Sequence, residues 1–186
     1  MPIIAYLGKD INDYQANRAK YLKTLRFYCP KHGLELTFHA KYDRHVKDSN
    51  AVISIHRLGC PLDECHYTQA ILPDFLQPYK QYSANEIEAV LIDAQTCVSA
   101  LDINSEASIS TVRRWISEYR PILDEKISQL KTAIFQIAKK VVNETVLETT
   151  RPMETIQRLL SLLPAIRRSN ILGAAFIYAN TLAIPT

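Results

Sequence analysis

Two short turns, each opening on Cys-Pro, constrain this chain more than any other feature. Cys29-Pro30-Lys31-His32-Gly33 sets a thiol and an imidazole three positions apart in a Pro/Gly turn, so both side chains can address one ion. Cys60-Pro61-Leu62-Asp63-Glu64-Cys65 supplies a second pair. Together Cys29, His32, Cys60 and Cys65 form a Cys₃His set, which zinc takes as a closed tetrahedron. With no open position, such a site is structural rather than catalytic. The Cys60 to Cys65 spacing is wider than the common two residues but stays within the two to four that structural zinc accepts. His39, His45, His56 and His66 compete for the fourth place. His32 ranks first because it stands where a second knuckle cysteine would, followed by the glycine such turns favour. Cys97 lies in a helical pattern and reads as a small core residue.

The thiols are read for metal before disulfides because the chain looks cytoplasmic. The Met1–Lys9 segment has neither a basic start nor the apolar run of a signal peptide, and a cytosolic chain keeps its thiols reduced. The apolar stretch Ile171 to Ile184 falls short of the roughly twenty residues of a spanning helix and reads as a buried C-terminal helix.

Around the knuckles the sequence predicts strands. Ala51-Val52-Ile53-Ser54-Ile55-His56-Arg57-Leu58 is rich in β-branched residues and runs into Gly59-Cys60. Leu34 to Phe38 is expected to leave the first knuckle as a strand, and the polar 41–50 stretch, ending Asp48-Ser49-Asn50, reads as the hairpin connection.

From Ser83 the period changes. Ile87, Val90, Leu91, Ala94 and Val98 recur at helical spacing, predicting a helix of about fifteen residues with Ser83 or Asn85 at its cap. Residues 101–107 leave room for a turn or a two-turn helix. Ser108 is then the expected N-cap of another helix, completing a helix-turn-helix. On this last helix Val112, Trp115, Ile116 and Tyr119 share one face, while Ser110, Arg113, Arg114 and Ser117 share the opposite one. Such an outward face suits a major groove, where Arg donates to guanine edges and Ser or Thr bonds bases or phosphates, and the helix N-terminus, at Thr111, favours a backbone phosphate.

Arg120-Pro121 predicts a turn or a helix restart. Beyond it, Leu123, Ile127, Leu130, Ile134, Ile137 and Val141 follow a 4-3-4-3-4 spacing. This admits a homodimer seam, although at under three heptads packing onto the chain's own helices is the expected use.

Charge follows the same division. Residues 20–60 carry eight basic groups against three acidic, residues 61–110 one basic against eight acidic, and residues 111–186 eleven basic against six acidic. In the first block Lys41 and Arg44 are candidate phosphate contacts. The formal net charge is only +3 and 47% of residues are hydrophobic, which excludes a disordered tail and permits an anionic partner without demanding one. No Ser-His-Asp arrangement, phosphate loop or dinucleotide fingerprint is present, and four glycines leave little to build one. The carboxylates after Tyr119 are scattered along polar faces, unlike the metal-binding set of a nuclease. The chain is therefore expected not to be an enzyme.

The run from Cys60-Pro61 through Ile71-Leu72-Pro73-Asp74-Phe75-Leu76-Gln77-Pro78-Tyr79 to Ser110-Thr111-Val112-Arg113-Arg114-Trp115-Ile116 resembles a bacterial family of uncharacterised proteins that join a zinc-ribbon knuckle to a transposase-type helix-turn-helix. The resemblance covers about residues 27–120 and implies DNA binding linked to mobile elements. The chain departs from the pattern at His32, where a Cys is usual, and in two extra residues between Cys60 and Cys65.

The expected fold is α+β, a small N-terminal zinc ribbon followed by a helical region with a helix-turn-helix. The expected division is a strand/helix arm at 1–26, ribbon and linker at 27–80, helix-turn-helix at 81–120 and C-terminal helices at 121–186. The expected function is zinc-stabilised binding of double-stranded DNA, transposon-related or regulatory and without a nuclease domain. The rival is a protein-interaction module using the ribbon and the 123–141 helix.

Overall fold

A computed structural model describes residues 2–97, 99–138, 151–163 and 168–182. The fold is α+β, a small four-stranded N-terminal sheet followed by helices. The chain divides into two compact units, 1–83 and 84–186.

In the first unit β1 (Ile3–Ala5), β2 (Thr37–Val46), β3 (Ala51–Gly59) and β4 (Thr68–Pro73) form one sheet in the order β1-β4-β3-β2. The β2–β3 and β3–β4 pairs are antiparallel and β1 lies parallel to β4. The first 26 residues are thus no detached arm, because β1 completes the four-stranded sheet. Helix α1 (Ile11–Lys23) starts at Asp10, whose carboxylate accepts from the Asp13 amide at 2.8 Å. It is fixed to β3 by the fully buried Tyr14, which donates its hydroxyl to the Ser54 carbonyl at 2.8 Å and meets Phe75 edge-on. Leu7, Ile53, Ile55, Ile71, Leu72 and Leu76 fill the rest of this core.

Two strand expectations change. The strand after the first knuckle starts at Thr37 rather than Leu34, and the stretch read as a hairpin connection continues it to Val46, leaving Lys47 to Asn50 as the turn. Polar residues read as loop, yet β2 is the sheet's edge and most of its side chains meet solvent. Solvated edge strands carry polar and charged residues without losing their ladder to the neighbour.

The second unit holds α2 (Ala84–Asp93), α3 (Ile109–Ala133) continuing into a π-helical turn at Ile134–Ala138, α4 (Pro152–Ser161) and α5 (Ile171–Leu182). Trp115, Tyr119, Leu130 and Ile134 of this long helix are buried, as are Ile87 and Val90 of α2, Ile156 and Leu159 of α4, and Leu172, Ala174 and Ala175 of α5. Two expectations are corrected. Helix α2 ends at Asp93, and 99–108 forms turns and bends without a helix, so the link between α2 and α3 is far longer than the three or four residues of a tight helix-turn-helix. Pro121 sits inside α3 without breaking it. It removes one intrahelical hydrogen bond, but buried Trp115, Tyr119 and Leu123 on either side hold the helix against its neighbours. The heptad-like positions Leu123, Leu130 and Ile134 are buried within the unit and Ile127 is half-buried, whereas Ile137 is exposed. This agrees with the expected packing onto the chain's own helices, α3 lying against α4 and α5, and Val141 lies outside the described residues.

The acidity of α2 has a structural use. Glu86 accepts from the Ser105 hydroxyl at 2.6 Å and the Glu106 amide at 2.8 Å, ordering the long link. Glu88 accepts from the Leu172 amide at 2.9 Å, capping α5. Burial pushes its carboxyl up, and the amides of Leu172 and Ile171 oppose that shift. No helix among the described residues is long and apolar enough to cross a membrane.

Candidate metal centre

Strand register brings the two Cys-Pro turns together. The first knuckle ends shortly before β2 begins, and the second starts where β3 ends. Thr37 pairs with Gly59, so the knuckles meet at one end of the sheet. Each is closed by its own backbone. The Cys29 amide donates to the Leu34 carbonyl at 2.8 Å, the Gly33 amide to the Cys29 carbonyl at 2.8 Å, and the Leu36 amide to the Phe27 carbonyl at 2.7 Å. Gly33 holds a φ of +65°, a left-handed conformation that glycine adopts without strain. The second knuckle is the β3–β4 turn, in which the Cys60 amide donates to the Tyr67 carbonyl at 3.0 Å and the Cys65 amide to the Leu62 carbonyl at 2.9 Å. The two extra residues between Cys60 and Cys65 are absorbed in this turn. Gly59 is closely approached, since a Cβ there would lie 3.1 Å from that of His39, at the β2 irregularity between Phe38 and Ala40, and His39 would have to give way by a few tenths of an ångström.

The four expected ligands converge. One ligand atom from each of Cys29, His32, Cys60 and Cys65 lies within 4.8 Å of every other, a cluster geometrically compatible with a metal ion. His32 Nδ1 is 3.6 Å from Cys29 Sγ and 3.7 Å from Cys60 Sγ, and the Cys29 and Cys65 sulfurs are 3.8 Å apart. These separations are far too long for a disulfide, and all four cysteines are free. The structure selects His32 from the five histidines. His56 packs its ring edge-on against Phe38 and its pKa is lowered, first by burial.

The sulfurs are electrostatically unequal. Burial of Cys29 opposes its ionisation, but the Lys31 and His32 amides and the His32 ring, all directed at the sulfur, bring its pKa down to about 6. Cys60 moves the other way, raised by burial and by the neighbouring Cys65 and Cys29. Cys29 is therefore the readier of these two to bind as a thiolate, and a cation would have to draw the proton from Cys60. Cys97 is half-buried and outside the cluster.

The residues expected to touch DNA divide between the units. Ser108 caps α3, accepting from the Thr111 amide, and its hydroxyl lies 3.0 Å from those of Ser110 and Thr111, which are therefore engaged in the cap. Arg113, Arg114 and Ser117 are exposed while Val112, Trp115 and Tyr119 are buried, so the two faces fall as the spacing predicts. Arg114 pairs with Glu118 at 3.8 Å. Lys41 and Arg44 stand an odd number of positions apart on β2 and so point to opposite faces of the sheet. Arg44 donates to the carbonyls of Gln77 and Lys80, which sequence reasoning missed because those acceptors lie in a distant loop.

No curated protein and no solved structure matches the chain. What the chain is similar to is a family of unassigned role: residues 29–115, from the first cysteine of the metal cluster to the buried tryptophan of α3, match the family model described as Domain of unknown function (DUF6431).

Proposed function

We propose that this is a zinc-stabilised DNA-binding protein of transposon-related or regulatory type, without a nuclease domain, in which α3 docks on duplex DNA. The observation that carries the reading is the shape of the Cys₃His cluster. Bond lengths of ~2.3 Å to sulfur and ~2.05 Å to nitrogen around a tetrahedral zinc give edges of about 3.8 Å between sulfurs and about 3.6 Å from sulfur to nitrogen. Three of the six edges here measure 3.8 Å, 3.6 Å and 3.7 Å, and all four atoms lie within 4.8 Å of one another. Cys29, Cys60 and Cys65 would bind as thiolates and His32 through Nδ1. With all four positions filled by protein, the ion would hold the two turns together and supply folding energy.

The DNA side of the reading is supported by the first turns of α3. Arg113 is exposed and, among the described residues, has no ion-pair partner, beside a helix N-terminus that favours phosphate. Elemental analysis of the purified chain tests the metal, with about one zinc per chain expected and its loss in Cys60→Ser. A duplex-binding titration tests the partner. Affinity should fall steeply with salt, and Arg113→Ala should cost about 1–3 kcal/mol at a specific site. Equal binding by wild type and Arg113→Ala would remove the base-reading role from α3.

A protein-interaction module is the second reading, favoured by Phe135 and Ile137, which stand exposed just after α3. An apolar partner interface would be nearly insensitive to salt, which separates it from DNA binding.

A further inference from the structure

One face of the N-terminal sheet carries a groove of about 400 Å³ that the metal centre does not use. Arg57, Thr68 and Ala70 from β3 and β4 line it with Tyr42 and Arg44 of β2, and Tyr79 comes from the following loop. The register explains the grouping: Ala40 pairs with Arg57 and Arg57 with Ala70, so alternate residues of the three strands share this face. Among the described residues no carboxylate lines the groove. Arg57 is exposed and donates to Thr68 Oγ1 at 2.7 Å, a neutral acceptor that orients its guanidinium without cancelling the charge.

Tyr79 stands out among the lining residues. It is 88% exposed and holds a φ of +60°. The Lys80 amide donates to the Gln77 carbonyl at 3.3 Å, closing a turn with Pro78 second and Tyr79 third. This is the arrangement of a type II turn, whose third position calls for glycine. An aromatic side chain is thus held in a costly conformation while burying almost none of its surface, the pattern of strain kept at functional sites. Arg44 fixes the turn, because the carbonyls it binds, those of Gln77 and Lys80, flank Pro78 and Tyr79.

We infer that this groove binds single-stranded nucleic acid, with bases stacking on Tyr79 and Tyr42 and a phosphate meeting Arg57. Exposed aromatic rings beside uncompensated arginine, on a sheet face, are the parts that single-strand binders combine. An acidic peptide would satisfy the arginine but would give the tyrosine rings no flat partner. A duplex keeps its bases stacked inside and could not reach the rings. The inference concerns a different unit and ligand from the duplex reading of α3 and does not rest on it.

The test is fluorescence anisotropy of the full chain with a labelled oligothymidylate of about 12 nucleotides. Tyr79→Ala and Arg57→Gln are each expected to weaken binding about 5- to 100-fold, while Tyr79→Phe, which keeps the ring, binds as wild type does. Because both side chains are exposed, the folded chain should persist, checked by circular dichroism. Tyr79→Gly should raise the thermal midpoint by relieving the turn while losing affinity, which a merely structural tyrosine would not do. Arg113→Ala should leave this binding unchanged. Absence of binding by wild type would overturn the inference, as would equal affinity in the Tyr79→Ala and Arg57→Gln variants, tighter binding of a polyglutamate peptide, or equal weakening by Arg113→Ala.

Discussion

The Nδ1 atom of His32 stands 3.7 Å from the Sγ of Cys60, 28 residues further along the chain. The antiparallel pairing of β2 with β3 makes this approach, since the turn holding His32 precedes one strand and Cys60 follows the other. Sheet and cluster therefore depend on each other, and removing either partner should release both.

Chelation makes this measurable. A strong zinc chelator is expected to lower the thermal midpoint of wild type and to leave Cys60→Ser, already without metal, unaffected. Cys97→Ser should retain full metal content, because its sulfur is outside the cluster. Elemental analysis before and after dialysis reads both results.

Acid should empty the site. Protons compete with the metal for each ligand. Cys29, whose pKa is already brought down by the Lys31 and His32 amides, gives up its proton to a metal more readily than Cys60, whose pKa is raised. Zinc content measured across a descending pH series is expected to be full at neutrality and to fall in acid as protons displace the metal. Retention well into the acid range would contradict the assigned donor set.

Tyr14→Phe isolates one hydrogen bond in the core of the first unit. The Ser54 carbonyl loses the Tyr14 hydroxyl but keeps the Arg18 guanidinium at 3.3 Å. The cost should therefore be modest, about 1 kcal/mol in a urea titration. A loss of several kcal/mol would mean that the hydroxyl positions α1 as well as bonding it.

Pro121→Ala should stabilise the second unit. The residue is exposed and lies in the interior of a 25-residue helix. Replacement restores an intrahelical hydrogen bond and removes the ring, a gain partly offset by the freer unfolded chain, for a net effect on the order of 1–2 kcal/mol. A destabilised variant would show that a bend at Pro121 is needed for α3 to meet its neighbours.

Lys126 gives a test in alkali. Its ammonium lies 4.7 Å from the Phe176 ring centre and 2.8 Å from Gln129 Oε1, and burial lowers its pKa below the ordinary 10.5 while Glu125 opposes the shift. Between the lowered value and 10.5 the unfolded chain binds more protons than the folded one, so stability rises with pH across that window. Below the window the contribution is flat. Lys126→Met should abolish this rise, visible as the difference between the two proteins' unfolding midpoints over an alkaline series.

The sequence alone determined what depends on neighbouring residues. The Cys-Pro turns named all four members of the cluster, Ser108 announced the cap of α3, and alternating faces put Trp115 inside and Arg113 outside, because caps, tight turns and helical periodicity are set within a few positions. Tertiary structure decided the rest. Polar β2 is a strand because β3 supplies its hydrogen-bonding partner, Pro121 stays helical because the surrounding positions are buried, and the spaced leucines face α4 and α5 because a complementary surface within the same unit covers them. The same holds for Arg44 and Tyr79, whose shared groove exists only once strands distant in the sequence lie side by side. Those choices turn on which surfaces meet, and a local pattern does not encode its distant partner.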